Sequence, residues 1–429
     1  MATFDKFLES IRKDERGWQL FEHFSKWFLE HDPYWSREVS KVWLWDDWPG
    51  RWGPDSGIDL IFEHVNGEVW AVQSKLYSSD NYVKKSDIDS FLSESSRREI
   101  QHRLLLSTTD KIGPRAKKTI RDQEKPVTVY DLDSFQKSSL VFPASFKSLN
   151  KAKPKKLPKP RRHQKVAIKN VVRGFEKSDR GQLIMACGTG KTYTTLWIKE
   201  SISADLTLVL LPSLSLLSQT MNEWVGAANS SFRVLNVCSD ESVGKRNDES
   251  MGLDSAPFAV TSDVSAIRAF MKAPSPGVIF STYQSSPLIA EAQRLKSLPE
   301  FDLAVADEAH RCVGKSGSSF TTVLDDKAIR ASKRLFTTAT PRFYSKQVTT
   351  QARNHDIELI GMDNEQVFGK RFHTLTFGEA IERKLLTDYQ VVLVGVDDVR
   401  VQEFIEHRIK LDTGGVVQDA ESLSAQIAI

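Results

Sequence analysis

Residues 185–192 read Met-Ala-Cys-Gly-Thr-Gly-Lys-Thr and directly follow two apolar residues, Leu-Ile. A buried strand that ends in a glycine-rich turn before a helix presents backbone N–H groups to phosphates. Gly188 and Gly190 allow the backbone around Thr189 to approach closely. Lys191 would then reach the β- and γ-phosphates, and the Thr192 hydroxyl would hold Mg²⁺. This stretch predicts a nucleotide-binding α/β fold for its part of the chain.

Two neighbouring acids follow another apolar run further along the chain. Asp307 and Glu308 open the string Asp-Glu-Ala-His at 307–310, directly after Leu-Ala-Val-Ala. Magnesium prefers octahedral oxygen coordination with several waters retained, so one carboxylate at a strand tip, Asp307, suits it. Glu308 can orient or deprotonate the attacking water. Alone, the pair would indicate only a favourable helix dipole. Together with the phosphate turn, it predicts an ATP-hydrolysing site.

Short apolar runs alternate with helical patterns through both halves of the chain. Upstream of residue 147 they predict a small α/β domain with a mixed sheet and a helix over 18–29. Its strand candidates are 60–62, 69–72, 104–106 and 127–129. Downstream, the alternation predicts a parallel sheet covered by helices on both faces. The strand candidates there are 183–185, 206–211, 278–280, 303–305 and 335–336.

The bulk composition is typical of globular domains. The 429 residues are too many for one ordinary core, so two to three domains are expected. Apolar residues make up 40% of the chain, yet no run of about eighteen of them occurs. The three cysteines form neither a disulfide framework nor a metal-spaced cluster, and the N-terminus lacks an apolar signal segment. These features predict a cytoplasmic protein without a membrane span.

A basic stretch with several prolines separates the two halves. Residues 147–165 hold many Lys and Arg and no acid, together with Pro154, Pro158 and Pro160. Such a run can neutralise nucleic-acid phosphates, or it can be only a solvated tether between domains. The predicted organisation is a domain at 1–146, a linker at 147–165, a domain at 166–370, and a shortened α/β unit at 371–429 with a strand over 389–394.

The motifs around the phosphate turn resemble those of the superfamily 2 helicases and translocases of the DEAH-box type. Besides the turn and the acidic pair, the matching stretches are Gln164, 212–219, Ser-Thr-Tyr-Gln at 281–284 and Thr-Ala-Thr-Pro at 338–341. The resemblance covers about residues 160–345. It implies that ATP binds with Gln164 reading the adenine edge, that 212–219 and 281–284 contact DNA, and that 338–341 couples hydrolysis to movement. Met185 departs from the pattern, which has a glycine there.

A second departure concerns the arginine fingers of that superfamily, which a second RecA-like domain supplies. No Gln-x-x-Gly-Arg-x-x-Arg motif occurs after residue 345. Arginine side chains that stabilise a transferring phosphoryl group contribute a large rate factor. We therefore expect this chain alone to bind ATP and hydrolyse it weakly, and translocation to need the missing C-terminal motor domain.

A second group of polar residues adjoins the strands of the N-terminal half. Asp59 precedes the run 60–62, and Gln73-Ser74-Lys75 follows the run 69–72. A carboxylate and a lysine at adjacent strand tips can share one divalent metal and one water, with Lys75 positioning that water. Asp55 is a competing aspartate, but Asp59 adjoins the apolar strand. Alternatively, Asp59 caps a turn and Lys75 only extends from a strand end.

This arrangement resembles the PD-(D/E)xK nucleases, and most closely their Mrr-type restriction endonuclease branch. In that branch a glutamine replaces the second acid, as Gln73 does here. The strings Gly-Ile-Asp-Leu at 57–60 and Ala-Val-Gln-Ser-Lys at 71–75 fit the branch, and the resemblance covers about residues 15–140. It implies that Asp59 and Gln73 hold Mg²⁺, that Lys75 takes part in catalysis, and that Glu22 on the first helix approaches the metal.

Four tryptophans, Trp43, Trp45, Trp48 and Trp52, cluster just before Asp59. Trp43 and Trp45, at alternate positions, would point to opposite faces of a strand. Packing is the predicted role for most of the four, and a wedge that faces DNA is the alternative.

The order of nuclease, basic linker and motor resembles the N-terminal part of the single-chain type ISP restriction–modification enzymes. Residues 376–394 are similar to the start of their second motor domain. The resemblance implies an α/β chain: a restriction-endonuclease-like domain, a RecA-like motor domain and the start of a second one. It also implies ATP-dependent translocation along double-stranded DNA coupled to Mg²⁺-dependent cleavage of foreign DNA. A methyltransferase and a target-recognition domain would follow in the full-length chain.

Double-stranded DNA is the predicted partner, gripped mainly by its phosphates, with sequence specificity residing elsewhere. Three alternatives remain open. The first is a stand-alone defence helicase–nuclease without a methyltransferase, the second is an RNA-directed DEAH enzyme, and the third is an ATPase whose nuclease fold is a non-catalytic DNA clamp.

Overall fold

The computed structural model divides the chain into two compact units, Met1–Ala380 and Ile381–Ile429. It describes residues 3–54, 57–151, 157–239, 257–274, 276–315, 319–343, 359–388, 410–412 and 417–419. Within these ranges no helix is long and apolar enough to cross a membrane.

The N-terminal part of the first unit contains a mixed five-stranded sheet in the order β1-β2-β3-β4-β5. Its strands are β1 Val39–Leu44, β2 Leu60–His64, β3 Val69–Lys75, β4 His102–Ser107 and β5 Val127–Tyr130. The pairs β1–β2 and β2–β3 are antiparallel, and the pairs β3–β4 and β4–β5 are parallel. The helices are α1 Phe4–Arg12, α2 Gly17–His31, α3 Trp35–Glu38, α4 Asp89–Glu94, α5 Pro114–Arg121 and α6 Leu132–Lys137. The predicted mixed sheet is confirmed.

Helix α2 forms because its aromatic residues recur at helical spacing. Phe21, Phe24 and Phe28 are fully buried, and their spacing of three and four residues places them on one face of the helix. The predicted helix over 18–29 is confirmed. The opposite face of α2 remains available to line a cleft.

The tryptophan cluster is a packing feature. The ring of Trp45 lies 5.7 Å from Trp48 and 4.9 Å from Trp52, and its side chain is buried. The indole of Trp52 donates a hydrogen bond to Glu94, and Arg97 stacks over the same ring at 4.3 Å. These contacts hold α4 against the strand-to-strand connection 45–53, as the packing interpretation predicts.

The remainder of the first unit is built on a seven-stranded sheet in the order β14-β6-β12-β10-β7-β9-β8. All neighbouring strands in it are parallel. They are β6 Arg180–Met185, β7 Leu206–Leu211, β8 Arg233–Val237, β9 Gly277–Thr282, β10 Leu303–Asp307, β12 Arg334–Thr338 and β14 Lys370–Leu375. Two short strands, β11 Gly314–Lys315 and β13 Leu359–Ile360, pair with each other. The predicted parallel sheet is confirmed.

The helices of this second part are α7 Arg162–Phe175, α8 Lys191–Ser201, α9 Leu214–Ala227, α10 Val264–Lys272, α11 Ser286–Gln293, α12 Glu365–Phe368 and α13 Phe377–Glu382. The last two residues of α13 belong to the second unit. Strands such as β7 and β9 are buried along nearly their whole length, as expected for a parallel sheet whose two faces are covered. In the second unit, β15 Lys410–Asp412 and β16 Val417–Asp419 form an antiparallel pair.

Strand β14 lies at the edge of the seven-stranded sheet, next to β6. The sequence predicts a separate α/β unit from residue 371 onwards, whereas the pairing of β14 with β6 continues to Leu375. Gly174 and Gly181 make room for this strand, because a Cβ on either would lie 2.3 Å or 2.2 Å from the ring of Phe372. The predicted strand over 389–394 lies outside the described residues, and the domain boundaries themselves stay predictions.

The two sheets of the first unit are joined by contacts of α3 with the end of α9. Arg37 donates hydrogen bonds to the carbonyl oxygens of Val225 at 3.1 Å and Phe232 at 3.4 Å, and its guanidinium lies 4.9 Å from the Phe232 ring centre. Nearby, a Cβ on Gly226 would lie only 2.4 Å from the Ser139 hydroxyl oxygen. The N-terminal part therefore rests closely on the C-terminal end of α9.

Candidate functional sites

The strand order of the parallel sheet brings the predicted nucleotide residues together. Because β12 lies between β6 and β10, the carboxyl ends of these three strands meet at one edge, which is the usual ligand-binding edge of such sheets. The Lys191 amine lies 2.6 Å from a Glu308 oxygen and 3.1 Å from an Asp307 oxygen. The turn and the acidic pair therefore belong to one site.

The charges of this site are strongly coupled. Burial lowers the pKa of Lys191, but the Asp307 and Glu308 carboxylates raise it more, so its pKa lies above the ordinary lysine value. Glu308 also has a left-handed backbone conformation with φ 49°, which is strained for a residue with a side chain. Such strain persists where surrounding contacts hold it, and it accords with a residue kept in place for chemistry.

Threonines from β12 hold both carboxylates. The Thr337 hydroxyl donates to Asp307 at 2.5 Å, and the Thr338 hydroxyl donates to Glu308 at 3.4 Å. The His310 ring lies 2.9 Å from the same Thr338 oxygen. Burial lowers the pKa of His310 below its ordinary value, which favours the neutral ring. The Thr-Ala-Thr-Pro stretch thus contacts the acidic pair directly.

The phosphate turn is braced from α7. Gly188 and Gly190 have φ of 78° and 83°, a conformation that glycine adopts without strain. The Gln164 amide donates to the carbonyl of Gly190 at 3.1 Å and accepts from the backbone N–H of Arg161 at 2.9 Å. Gln164 therefore contacts the turn itself; its predicted contact with adenine stays a prediction.

Other residues of the turn are also held in place. The His163 ring lies 2.9 Å from the carbonyl oxygen of Thr189, and the Trp224 indole donates to the carbonyl of Thr192 at 3.0 Å. Thr192 is half-buried at the start of α8, and Met185, in the place of the usual glycine, is fully buried as the last residue of β6. The departure at Met185 thus lies within the strand and outside the turn.

The N-terminal site lies at one edge of the mixed sheet. Leu60 pairs with Val72 in antiparallel register, so Asp59 and Gln73 reach the same edge. The backbone N–H of Ser74 donates to an Asp59 carboxylate oxygen at 2.6 Å. The predicted meeting of the two strand tips is therefore present in the structure.

The Gln73 side chain has an orientation that suits a metal ligand. Its amide nitrogen donates to the carbonyl of Gly57 at 2.9 Å, whereas its buried amide oxygen has no hydrogen-bond partner among the described residues. A buried polar atom without a partner costs free energy unless something binds it. Amide and carboxylate oxygens are ligands that Mg²⁺ accepts. The donor set of Gln73 and Asp59 therefore fits a hard divalent cation.

One cleft of about 1430 Å³ contains all four residues predicted for this site. Asp59, Gln73, Lys75 and Glu22 line it together. Helix α2, which carries Glu22, is tied to β3 by a 3.0 Å hydrogen bond between the Ser74 and Ser25 hydroxyls. Within the described ranges, no three His, Cys, Asp or Glu side chains form a metal-binding cluster. The competing Asp55 lies outside the described residues.

Several contacting residues were not singled out from the sequence. Thr337 directly precedes the quoted Thr-Ala-Thr-Pro stretch and ends the same strand, so its position was an available signal. His163 directly precedes Gln164 on α7, but nothing in its spacing shows that it turns towards the phosphate loop. The Trp224 contact joins elements 32 residues apart and has no local signal.

Two family models match successive parts of the chain. Residues 30–151 match an Mrr-type catalytic family model described as a restriction endonuclease. Residues 157–343 match the family model described as type III restriction enzyme, res subunit. The first match contains Asp59, Gln73 and Lys75, and the second contains the phosphate turn and the acidic pair.

Several known proteins are similar to this chain. The solved structure of the ATP-dependent type ISP restriction–modification enzyme LlaBIII bound to DNA is 30% identical, with a TM-score of 0.77, over 95% of this chain and 27% of that one. A nuclease-deletion mutant of the type ISP enzyme LlaGI is 31% identical over 58% of this chain and 22% of that one, with a TM-score of 0.42. A probable helicase of African swine fever virus, A859L, is 30% identical over 54% of this chain and 24% of its own. The chain thus spans about a quarter of the length of the relatives it matches.

Proposed function

We propose that this chain, which joins an Mrr-type restriction endonuclease domain to a helicase-type ATPase domain, acts in ATP-dependent restriction of foreign DNA. Its motor would translocate along double-stranded DNA, and its nuclease would cleave that DNA with Mg²⁺. The observation that carries the proposal is the partnerless buried oxygen of Gln73 in the cleft that also holds Asp59 and Lys75. The DNA named for LlaBIII supports the choice of substrate.

In the nuclease half, Asp59, Gln73 and Glu22 would hold the cation. A bound Mg²⁺ would polarise the scissile phosphate and lower the pKa of a water. Lys75 would orient the attacking water and stabilise the negative charge that develops on the phosphate. The Ser74 N–H bond fixes Asp59, so its carboxylate does not have to reorganise during the reaction.

In the motor half, ATP is the substrate. The backbone of Gly188–Thr192 would bind its phosphates, Lys191 would contact the β- and γ-phosphates, and Thr192 and Asp307 would hold its Mg²⁺. Glu308 would orient the attacking water, with its position maintained by Thr338. Movement along DNA would also require arginine fingers, which stabilise the transferring phosphoryl group.

The test is a pair of lysine variants assayed for both activities. Lys75→Ala should abolish Mg²⁺-dependent nicking of plasmid DNA and leave ATP binding intact. Lys191→Ala should abolish ATP binding and leave basal nicking intact. Lys169→Ala, at an exposed lysine of α7 outside the basic run, is the matched control and should change neither. Nicking that survives Lys75→Ala would contradict the nuclease assignment, and a chain that binds DNA without nicking it would instead be a clamp.

The remaining alternatives need other measurements. If RNA stimulates ATP hydrolysis more than duplex DNA does, the motor acts on RNA. The full-length gene sequence separates a methyltransferase-containing enzyme from a stand-alone helicase–nuclease.

A further inference from the structure

Trp18 is an exposed tryptophan that lines the nuclease cleft. All ten tryptophans lie within the described residues, and Trp18 is the one that is exposed, at 58% of its surface. Tryptophan is normally well buried because its large apolar ring is costly to expose. Trp18 nevertheless lines the same cleft as Asp59, Gln73 and Lys75. An exposed indole beside the proposed catalytic residues is therefore a candidate for contact with the substrate.

The position of Trp18 is fixed by helix α2. Trp18, Glu22 and Ser25 are spaced four and three residues apart, so they share one face of the helix. Ser25 is bonded to Ser74 on β3, and Glu22 lines the cleft, so this face runs along the tip of β3. Trp18 therefore lies one helical turn before Glu22 on the face of α2 that lines the cleft.

The first turn of α2 is held close to the strand that carries Lys75. A Cβ on Gly17 would lie 2.9 Å from the Ile11 carbonyl oxygen and 3.1 Å from the Leu76 side chain. The glycine thus lets the helix start pack tightly against the residue that follows Lys75. The indole of Trp18 is in consequence exposed but carried on a rigid backbone, which lowers the entropic cost of using it for binding.

The charge of the cleft shows why an aromatic contact would be needed there. The described residues that line it include two permanent cations, Arg16 and Lys75, against five acids, Glu22, Asp46, Asp47, Asp59 and Glu94. Asp46 and Glu94 are ion-paired with Arg51 and Arg97, so Arg16 and Lys75 are the two lining cations that remain for DNA phosphates. Stacking on an aromatic ring is independent of phosphate charge and of sequence.

We propose that Trp18 is a DNA-positioning residue whose indole packs in a groove of the duplex, against the sugar and base edge next to the scissile phosphate. This inference rests on the proposed nuclease function. Trp18 takes no part in bond breaking; it holds the duplex against the cleft so that the phosphate lies at Asp59 and Lys75. The contact would be sequence-tolerant, in keeping with a nuclease that cuts where the motor brings it.

The test compares Trp18→Ala and Trp18→Phe in nicking assays on a duplex with Mg²⁺. Trp18→Ala should raise KM about tenfold and change kcat much less, whereas Trp18→Phe should stay within about threefold of the wild type because it retains a ring. The salt dependence of KM should keep its slope, since no cationic contact is lost. Tyr82→Ala removes an aromatic ring that is 54% exposed but does not line the cleft, and it should have no effect.

A binding measurement separates this inference from the nuclease proposal. With Ca²⁺ in place of Mg²⁺, addition of duplex DNA should quench the tryptophan fluorescence of the wild type, and this quenching should be lost in Trp18→Phe. Equal quenching in both proteins, an unchanged KM in Trp18→Ala, or a reduced salt slope would overturn the role of Trp18. If Lys75→Ala still nicks while quenching depends on Trp18, the nuclease assignment fails and the DNA contact stands.

Discussion

Gln73 is the residue on which the nuclease assignment depends most. Gln73→Leu removes the buried amide oxygen while keeping a similar volume. We expect nicking to fall by about 100-fold, because the cation would lose a ligand. The loss of one hydrogen bond to Gly57 should cost only about 1 kcal/mol of stability.

Two controls make the Gln73 result specific. Gln73→Glu keeps an oxygen at the same place and should retain activity within about tenfold. Gln101→Leu removes a glutamine that bonds Val69 at the far end of β3, and it should leave nicking unchanged. Wild-type nicking in Gln73→Leu, measured on supercoiled plasmid, would argue that the amide is structural.

Cys187 offers a direct measure of ATP binding. This thiol is exposed within the phosphate turn, whereas Cys238 and Cys312 are buried. We expect ATP with Mg²⁺ to slow alkylation of Cys187 by a maleimide by about tenfold or more, because the phosphates would cover the turn. Lys191→Ala should lose this protection. Equal alkylation rates with and without ATP, followed by mass spectrometry, would exclude binding at the turn.

At the scale of secondary-structure elements, the sequence predicted what depends on local pattern. The apolar runs identified β6, β7, β9, β10 and β12 because strands of a covered parallel sheet are apolar throughout. The motif spacing likewise identified the residues that meet at Lys191. Strand β14 lacks this signal, because five of its six residues are exposed or half-buried and its partner β6 lies far away in sequence.

The exposure of Trp18 could not be predicted from local sequence either, because exposure depends on how the elements pack together. The sequence favours the four tryptophans at 43–52 as candidates for a DNA contact, because they form a dense local cluster. The structure buries or half-buries those four, and it leaves Trp18 exposed at the cleft instead. The placement of α2 against β3 distinguishes the exposed Trp18 from the packed tryptophans, and this placement is a tertiary feature.

The pair of His64 and Glu38 joins the end of β2 to the end of α3 and should make stability pH-dependent. The two side chains lie 2.7 Å apart and are mostly buried. Burial lowers the pKa of His64, but the hydrogen bond and charge of Glu38 raise it more, with a smaller contribution from Glu68, so its pKa lies above the ordinary value. The stabilisation is thus fully present below about pH 6.5 and is lost as pH rises through the higher folded-state pKa.

Glu38→Gln tests this linkage by removing the charge and retaining an acceptor. We expect it to cost about 1 kcal/mol at pH 6 and much less at pH 9, measured by thermal unfolding. Glu30→Gln, which removes a more exposed ion pair with Lys26, should show no change in its effect between these pH values. A Glu38→Gln deficit that is equal at both pH values would contradict the raised pKa of His64.

At the scale of the whole molecule, Arg37 joins the nuclease domain to the motor domain. It bonds the Val225 carbonyl on α9, and the neighbouring Trp224 on the same helix bonds Thr192 at the nucleotide site. Arg37→Ala should therefore weaken the association of the two domains by about 2 kcal/mol. Each domain keeps its own core, so separate ATP binding should survive.

Limited trypsin digestion can measure this association, because the basic linker 147–165 offers many cleavage sites. After cleavage, the two pieces of the wild type should elute together on size exclusion, and those of Arg37→Ala should separate. Arg115→Ala, at an exposed arginine of α5, should behave like the wild type. Co-elution of the Arg37→Ala pieces would show that other contacts suffice.

Strand β14 has a mechanical consequence for the nucleotide site. The carbonyl of Leu375 accepts a 2.9 Å hydrogen bond from the N–H of Ala186, the residue that leads into the phosphate turn. Tension on the polypeptide just beyond Leu375 would act first on this hydrogen bond, which is the last link of the β14–β6 pairing and adjoins the phosphate turn. ATP binding and any force transmitted along that stretch of the chain therefore act on the same backbone atoms around Ala186.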